Sequence, residues 1–236
     1  MFSNKDLRKL IIPLVIEQLL AVTIGMADTV MVSSCGEAAV SGISLVDSIN
    51  FLLITLFSSL ATGGAVIASQ YIGRGDHKSA SLAAKQLFYA SLALSAVLGI
   101  IAVFFRKPVL NMVFGSIEAD VMAHAQIYFL LSAISYPFLA VYNAGAALFR
   151  SMGDSRTTML ISILMNTINI VGNAILIYGF QMAAAGAATA SLVSRAVGAI
   201  IITVLLLNPH RIIFYDKLHK PEIHLSMLKS ILQIGV

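Results

Sequence analysis

The sequence predicts an all-α, polytopic membrane protein, and three observations carry that class. First, 58% of the 236 residues are hydrophobic and 11% are charged, with a mean hydropathy of +0.91. Soluble globular chains carry about 25% charged residues. Second, no Lys, Arg, Asp or Glu occurs in the stretches 48–73, 86–105, 121–149 and 157–194. A spanning helix takes roughly 20 residues, so the last stretch has room for two spans or parts of them. Third, the basic residues fall between the apolar runs and concentrate in alternate connections, as membrane topology requires.

Six spans follow in order. The first, 10–33, is the apolar run after Lys5, Arg8 and Lys9. With no small-residue cleavage site behind Met1-Phe2-Ser3, it reads as a retained signal-anchor helix. The second, 45–72, contains the charge-free stretch from 48, with Asp47 as a cap at its outer end. The third, 84–105, stops before Arg106 and Lys107. The fourth, 121–147, carries Pro137 and precedes Arg150. The fifth and sixth, 157–178 and 184–207, share one uncharged stretch that turns at Tyr178-Gly179-Phe180-Gln181.

The distribution of Lys and Arg orients these spans. Lys5, Arg8 and Lys9 precede the first span, Arg74, Lys78 and Lys85 follow the second, and Arg150 and Arg156 follow the fourth. Arg211, Lys217, Lys220 and Lys229 follow the sixth. Both ends are therefore expected in the cytoplasm. The connections Gly73-Arg74-Gly75-Asp76 and Arg150-Ser151-Met152-Gly153-Asp154 echo one another. In each, a Gly suits the left-handed residue that closes a helix, and the Asp caps the next one. Residues 1–207 thus form a six-helix transmembrane lobe, and 208–225 a polar, basic cytoplasmic linker with room for an interfacial helix. Residues 226–236 open a seventh helix that stops too soon to span anything. The chain is read as cut off there, as the first of two parallel six-helix repeats of the kind transporters use.

Several classes are disfavoured. A net charge of +4 and a pI near 9.3 would suit nucleic acid, but the charges are spread between spans and form no patch. The single Cys35 forms no intrachain disulfide. There is no GxxxxGK[ST] phosphate loop and no HExxH, and the five histidines are dispersed. No enzyme and no cofactor is expected.

The chemistry lies in polar groups within apolar spans. A charged side chain at the bilayer centre costs about 2.5–3.5 kcal/mol on insertion scales, so it faces a bundle interior or a watery cavity and marks an ion or proton path. Asp28 is the deepest acid, roughly 27 Å along the first helix at 1.5 Å per residue. Glu17, about three turns earlier, falls on nearly the same face. In the fifth span, Asn166, Asn169 and Asn173 share one face by their spacing. These amides either glue helices together or, with carboxylate and hydroxyl oxygens, hold a hard monovalent cation or a proton. Thr189 and Ser191 of the sixth span offer hydroxyls, and Arg195 there needs a carboxylate, a carbonyl or water. Glu17, Asn166, Arg195, Met26 and Tyr136 are the residues expected to line a cavity. Pro13, Pro137 and Gly25 suit helices that bend between access states.

The chain resembles the multidrug and toxic compound extrusion (MATE) transporters. The matching pieces are Pro13 with Ala27-Asp28-Thr29-Val30-Met31-Val32, then Thr62-Gly63-Gly64 through Ile72-Gly73-Arg74-Gly75-Asp76. Leu148-Phe149-Arg150-Ser151-Met152-Gly153-Asp154-Ser155-Arg156 follows, then Asn169-Ile170-Val171-Gly172-Asn173 through Tyr178-Gly179, and Gly186-Ala187-Ala188-Thr189-Ala190. The resemblance covers the first of that family's two six-helix lobes. It implies export of cationic, amphipathic compounds across the cell membrane in exchange for Na+ or H+. In part of the family a first-helix Asp, a fifth-helix Asn and Asp four apart, and a sixth-helix hydroxyl form a cation site. The matching positions here are Asp28, Asn169, Asn173 and either Thr189 or Ser191. Asn173 departs from the pattern, leaving one carboxylate where those members have two.

On this reading, Asp28 takes up H+ or Na+ from the outward-facing cavity, because closing on a neutralised carboxylate costs less than burying a bare one. The first helix then repacks near Pro13 or Gly25 and disfavours a bound organic cation. Two alternatives stand beside it. A flippase of lipid-linked saccharides would need several cationic side chains facing its cavity, where Arg195 is the one candidate. A non-transporting membrane scaffold would leave Asp28 and the asparagines sealed against each other.

Overall fold

The computed structural model describes residues 4–216, 218 and 222–235. Met1–Ser3, Lys217, His219–Pro221 and Val236 lie outside the described residues, as do the side chains of residues 4–10, Ala21, Ile24 and Ala27. Among the described residues seven α-helices follow one another: α1 (Asn4–Ser33), α2 (Glu37–Gly73), α3 (His77–Phe114), α4 (Ala119–Ser151), α5 (Ser155–Asn173), α6 (Ala183–Leu206) and α7 (Leu225–Gly235). A π-helical turn, Ala174–Gly179, extends α5. α2, α3, α4, α5 with its π turn, and α6 are each long and apolar enough to cross a membrane. α1 has 30 residues, and Ile11–Leu20 is its apolar run among the described residues. The chain is an all-α, multi-pass membrane protein.

α4 is the centre of the lobe, with α2, α3 and α6 packed on it. Its alanines let the helices approach closely, while Phe129, Tyr136 and Phe149 fill the space between them. α1 packs chiefly on α5, and α5 on α6. α3 turns an apolar face outward, with Val97, Ile100, Phe104 and Met112 all exposed, as a lipid-facing helix should.

Both Gly-Asp connections form as their residues require. Gly75 and Gly153 take left-handed φ values of 75° and 82°. Asp76 Oδ1 accepts from Ser79 N at 3.0 Å and Asp154 Oδ1 from Thr157 N at 3.1 Å, capping α3 and α5. The Ser79 hydroxyl, and then its backbone N–H, hold the Asp76 carboxyl below the usual carboxylate range.

Three boundaries differ from the sequence reading. α2 begins at Glu37 rather than 45, because Gly36 at φ 101° turns the chain at once. Its first turns lie tight on α4, where a Cβ on Gly42 would stand 2.9 Å from Val121 O and Ala125 N. Asp47 is consequently inside the helix and is not its cap. The third span breaks where expected, at Phe105 (φ −109°, ψ 18°), but a further helical piece then runs to Phe114. Pro108 is tolerated near the start of that piece, where a backbone N–H has no helical partner. The linker forms no interfacial helix among its described residues. It lies along the N-terminal part of α3 instead: Phe214 N donates to Ser81 Oγ at 3.3 Å, Tyr89 Oη to Leu218 O at 2.7 Å, and His224 N to Gln86 Oε1 at 3.1 Å.

Candidate functional site

α1 and α5 run parallel and meet through polar side chains at two levels. Toward the N-terminal end of α5, Glu17 Oε1 pairs with Arg150 Nη1 at 3.3 Å, and Glu17 Oε2 accepts from Thr158 Oγ1 at 3.1 Å. Toward the C-terminal ends of both helices Asn173 Nδ2 donates to Asp28 Oδ1. The face shared by Glu17 and Asp28 therefore looks onto α5. Glu17 thus holds α1 to the ends of α4 and α5.

Of the four other residues named for a cation site, three join Asp28 in one chain of contacts. Asn173 Nδ2 also lies 3.4 Å from Asn169 Oδ1, and Asn169 Nδ2 donates to Ser191 Oγ at 3.0 Å. The α5–α6 contact that carries this link is tight, because a Cβ on Gly172 would stand 3.0 Å from Ala190 Cβ. Asn173 is the last α-helical residue before the π turn, a widening that recurs at functional sites. Thr189 is not brought in: its hydroxyl donates to Ala185 O at 2.7 Å within α6. Ser191 is the α6 hydroxyl at the cluster.

The oxygens present suit a small monovalent cation or a proton. Asn173 Oδ1 is buried with no hydrogen-bond partner among the described residues, and Asp28 supplies a carboxylate on the other side of the same amide. Asn166 is buried on the same face of α5, with its Nδ2 likewise unpartnered. It touches none of the Asp28 cluster by hydrogen bond among the described residues.

A second polar network escaped the sequence reading. Asp47 Oδ1 on α2 accepts from Tyr128 Oη at 3.0 Å and from Asn50 Nδ2 at 3.2 Å. Tyr136 Oη donates to Asn50 Oδ1 at 2.8 Å, and Ser132 Oγ lies 3.4 Å from Asn50 Nδ2. Tyr136 is wholly buried, with its ring tilted against Phe57, so it belongs to this α2–α4 contact and lines no open cavity. Met26 is 66% exposed on the free side of α1. Arg195 donates to Ser135 Oγ at 2.7 Å, and its charge acts on both Asp28 and Asp47. The signal for this network was available: Asp47 and Asn50 share a face by spacing, as do Tyr128, Ser132, Ser135 and Tyr136.

Comparison with known proteins matches residues 13–175 to the family model described as MatE. An uncharacterized transporter, YisQ, of Bacillus subtilis is 31% identical over 95% of this chain and 50% of its own length. A probable multidrug resistance protein, NorM, of Thermotoga maritima is 29% identical over 98% of this chain and 50% of its own. The chain spans about half the length of the curated relatives it matches. Among solved structures, an outward-facing multidrug resistance MATE family transporter superposes with a TM-score of 0.89 at 24% identity, over 98% of this chain and 51% of that one. An inward-facing transporter of that description superposes with a TM-score of 0.83 at 24% identity, over 95% and 52%. At that identity the likeness carries the fold.

Proposed function

The chain belongs to the MatE family, and on that premise we propose that it is one six-helix lobe of a cation-coupled antiporter exporting organic cations and drugs. Residues 1–207 are the lobe, 208–225 its cytoplasmic linker, and 226–236 the first turns of a helix belonging to a second lobe. Both the N-terminus and the linker face the cytoplasm. The half-length match to multidrug resistance relatives supports the two-lobe reading. The coupling ion, H+ or Na+, loads at Asp28.

One observation carries the assignment: a membrane-embedded carboxylate on α1 is tied to α5 by the amide of Asn173. An amide can serve both states of its partner. It donates N–H to the carboxylate, and with the amide turned over its carbonyl accepts from a carboxylic acid O–H. With Na+ as the coupling ion, Asp28, the Asn173 and Asn169 carbonyls and Ser191 Oγ supply oxygens of the kind a hard cation takes. Loading therefore removes a charge without orphaning the amide. α1 then loses its electrostatic reason to stay against α5 at the outer level, while Glu17 holds the cytoplasmic level.

The test is export of ethidium by cells expressing the full-length protein, with Na+ and pH gradients imposed separately. Asp28→Asn, which keeps shape and removes charge, is expected to abolish gradient-driven export while the protein still inserts and purifies as a single species. Coupled efflux persisting in that variant would overturn the assignment.

A further inference from the structure

We propose that Asp47 is the carboxylate that receives the positively charged group of an organic-cation substrate, as a separate site from the ion-loading Asp28. This rests on the antiporter reading above and assigns the two charges of the exchange to two different acids.

Geometry carries the assignment. Asp47 lies inside α2, roughly 15 Å from the helix start at 1.5 Å per residue, yet it is exposed on the free face of the lobe. A carboxylate at that depth does not face hydrocarbon; it faces water or a partner charge. Its Oδ1 is fixed by Tyr128 and Asn50, whereas Oδ2 accepts no hydrogen bond among the described residues. The carboxylate is thus held still with one oxygen presented outward.

Its surroundings fit a lipophilic cation. Phe51, one turn along α2, is 69% exposed on that face and offers an aromatic surface to a cation. Ser48, Thr55 and Thr62 continue the stripe, and each hydroxyl donates to a carbonyl of its own helix: Ser44 O at 3.1 Å, Phe51 O at 2.8 Å and Ser58 O at 2.8 Å. With their protons spent, these oxygens are left as acceptors. The face therefore combines a carboxylate, an aromatic ring and bare oxygens, unlike the apolar outer face of α3.

Separate sites still exchange. The Asp47 charge acts on Asp28, and Arg195 acts on both. Neutralising Asp28 with H+ or Na+ withdraws negative field from Asp47 and loosens a cation held there. By linkage, that cation loosens the coupling ion to the same degree. The groups that face Asp47 are the half-buried charges of Asp28 from α1 and Arg195 from α6, with the Tyr128 and Tyr136 phenols from α4.

The test is equilibrium binding of ethidium to the purified full-length protein, followed by fluorescence. Asp47→Asn is expected to weaken binding about tenfold, the loss of one charge-assisted contact, with Asp47→Glu restoring most of it. Asp28→Asn is expected to retain measurable ethidium binding that no longer responds to Na+. A charge-swap guards against misfolding. In a background where Cys35 and every cysteine outside residues 1–236 are replaced by Ser, Asp47→Cys labelled with a sulfonate-bearing thiol reagent should bind ethidium better than the same variant labelled with a trimethylammonium reagent. Wild-type affinity in Asp47→Asn, or no difference between the two labels, overturns the proposal while leaving the antiporter reading standing. A wild-type protein that neither binds nor exports ethidium overturns both.

Discussion

Asn173 on α5 donates to the Asp28 carboxylate on α1, while its own carbonyl oxygen is buried without a partner among the described residues. The amide is therefore half satisfied when Asp28 is charged. Removing it should expose that dependence. Asn173→Ala leaves a membrane-embedded carboxylate without its donor and is expected to cost about 1–3 kcal/mol in thermal unfolding of the detergent-solubilised protein. In an Asp28→Asn background the same substitution should cost clearly less, because the charge that needed the donor is gone. Equal costs in the two backgrounds would mean that the contact contributes nothing to the fold.

Glu17 and Arg150 form the other tether of α1, at 3.3 Å, with Thr158 sharing the carboxylate. Arg150 is one-third exposed at its side chain (33%) and Glu17 much less so (13%), so water screens the pair in part. A double-mutant cycle with Glu17→Gln and Arg150→Gln should give a coupling of about 1 kcal/mol or less in unfolding free energy. Gradient-driven export should persist in Glu17→Gln if this pair only anchors α1. Complete loss of coupling in a well-folded Glu17→Gln protein would place Glu17 in the ion path instead.

What was legible in the sequence, and what was not, divides along physical lines. Charge-free runs and basic connections located the membrane helices, since hydropathy is a property of composition. The Gly75-Asp76 and Gly153-Asp154 turns were legible because left-handed φ and side-chain capping are local demands of single residues. Helical spacing put Asn166, Asn169 and Asn173 on one face, whereas grouping Asp28, Asn169 and Asn173 with Thr189 or Ser191 was what the family resemblance implied. Asp47 was misread because an acid near the start of an apolar run looks like a cap. What moved that start was Gly36 and the close approach of Gly42 to α4, and contact with a distant helix leaves no mark in neighbouring sequence. Tyr136 was misplaced for the same reason, since its burial depends on Phe57 and Asn50 of another helix. Glu17 was located on the right face of α1, but its partner Arg150 sits in a connection that the sequence reading treated only as a topology signal.

Gly63 and Gly25 separate packing glycines from tolerant ones. A Cβ on Gly63 would stand 2.5 Å from Ile231 O and 2.7 Å from Gly235 N, both backbone atoms of α7. Seen from the other side, a Cβ on Gly235 would stand 2.9 Å from Ser59 O and 3.0 Å from Leu60 Cα. Neither helix can yield by turning a side chain, so Gly63→Ala must push α7 off α2 and open the buried contact of Leu60 with Ile231. Overpacking of this kind costs about 1–3 kcal/mol. Gly25 has nothing within 4 Å of its Cβ position, and a helical Gly is less favourable than Ala by about 0.5–1 kcal/mol. Gly25→Ala should therefore unfold at or slightly above the wild-type temperature, while Gly63→Ala unfolds below it. Displacement of α7 also pulls on the linker strand that Gln86 holds at Glu222 and His224, so limited proteolysis should cut the linker faster in Gly63→Ala. Wild-type melting and cleavage in Gly63→Ala would show that α2 and α7 do not meet at this glycine.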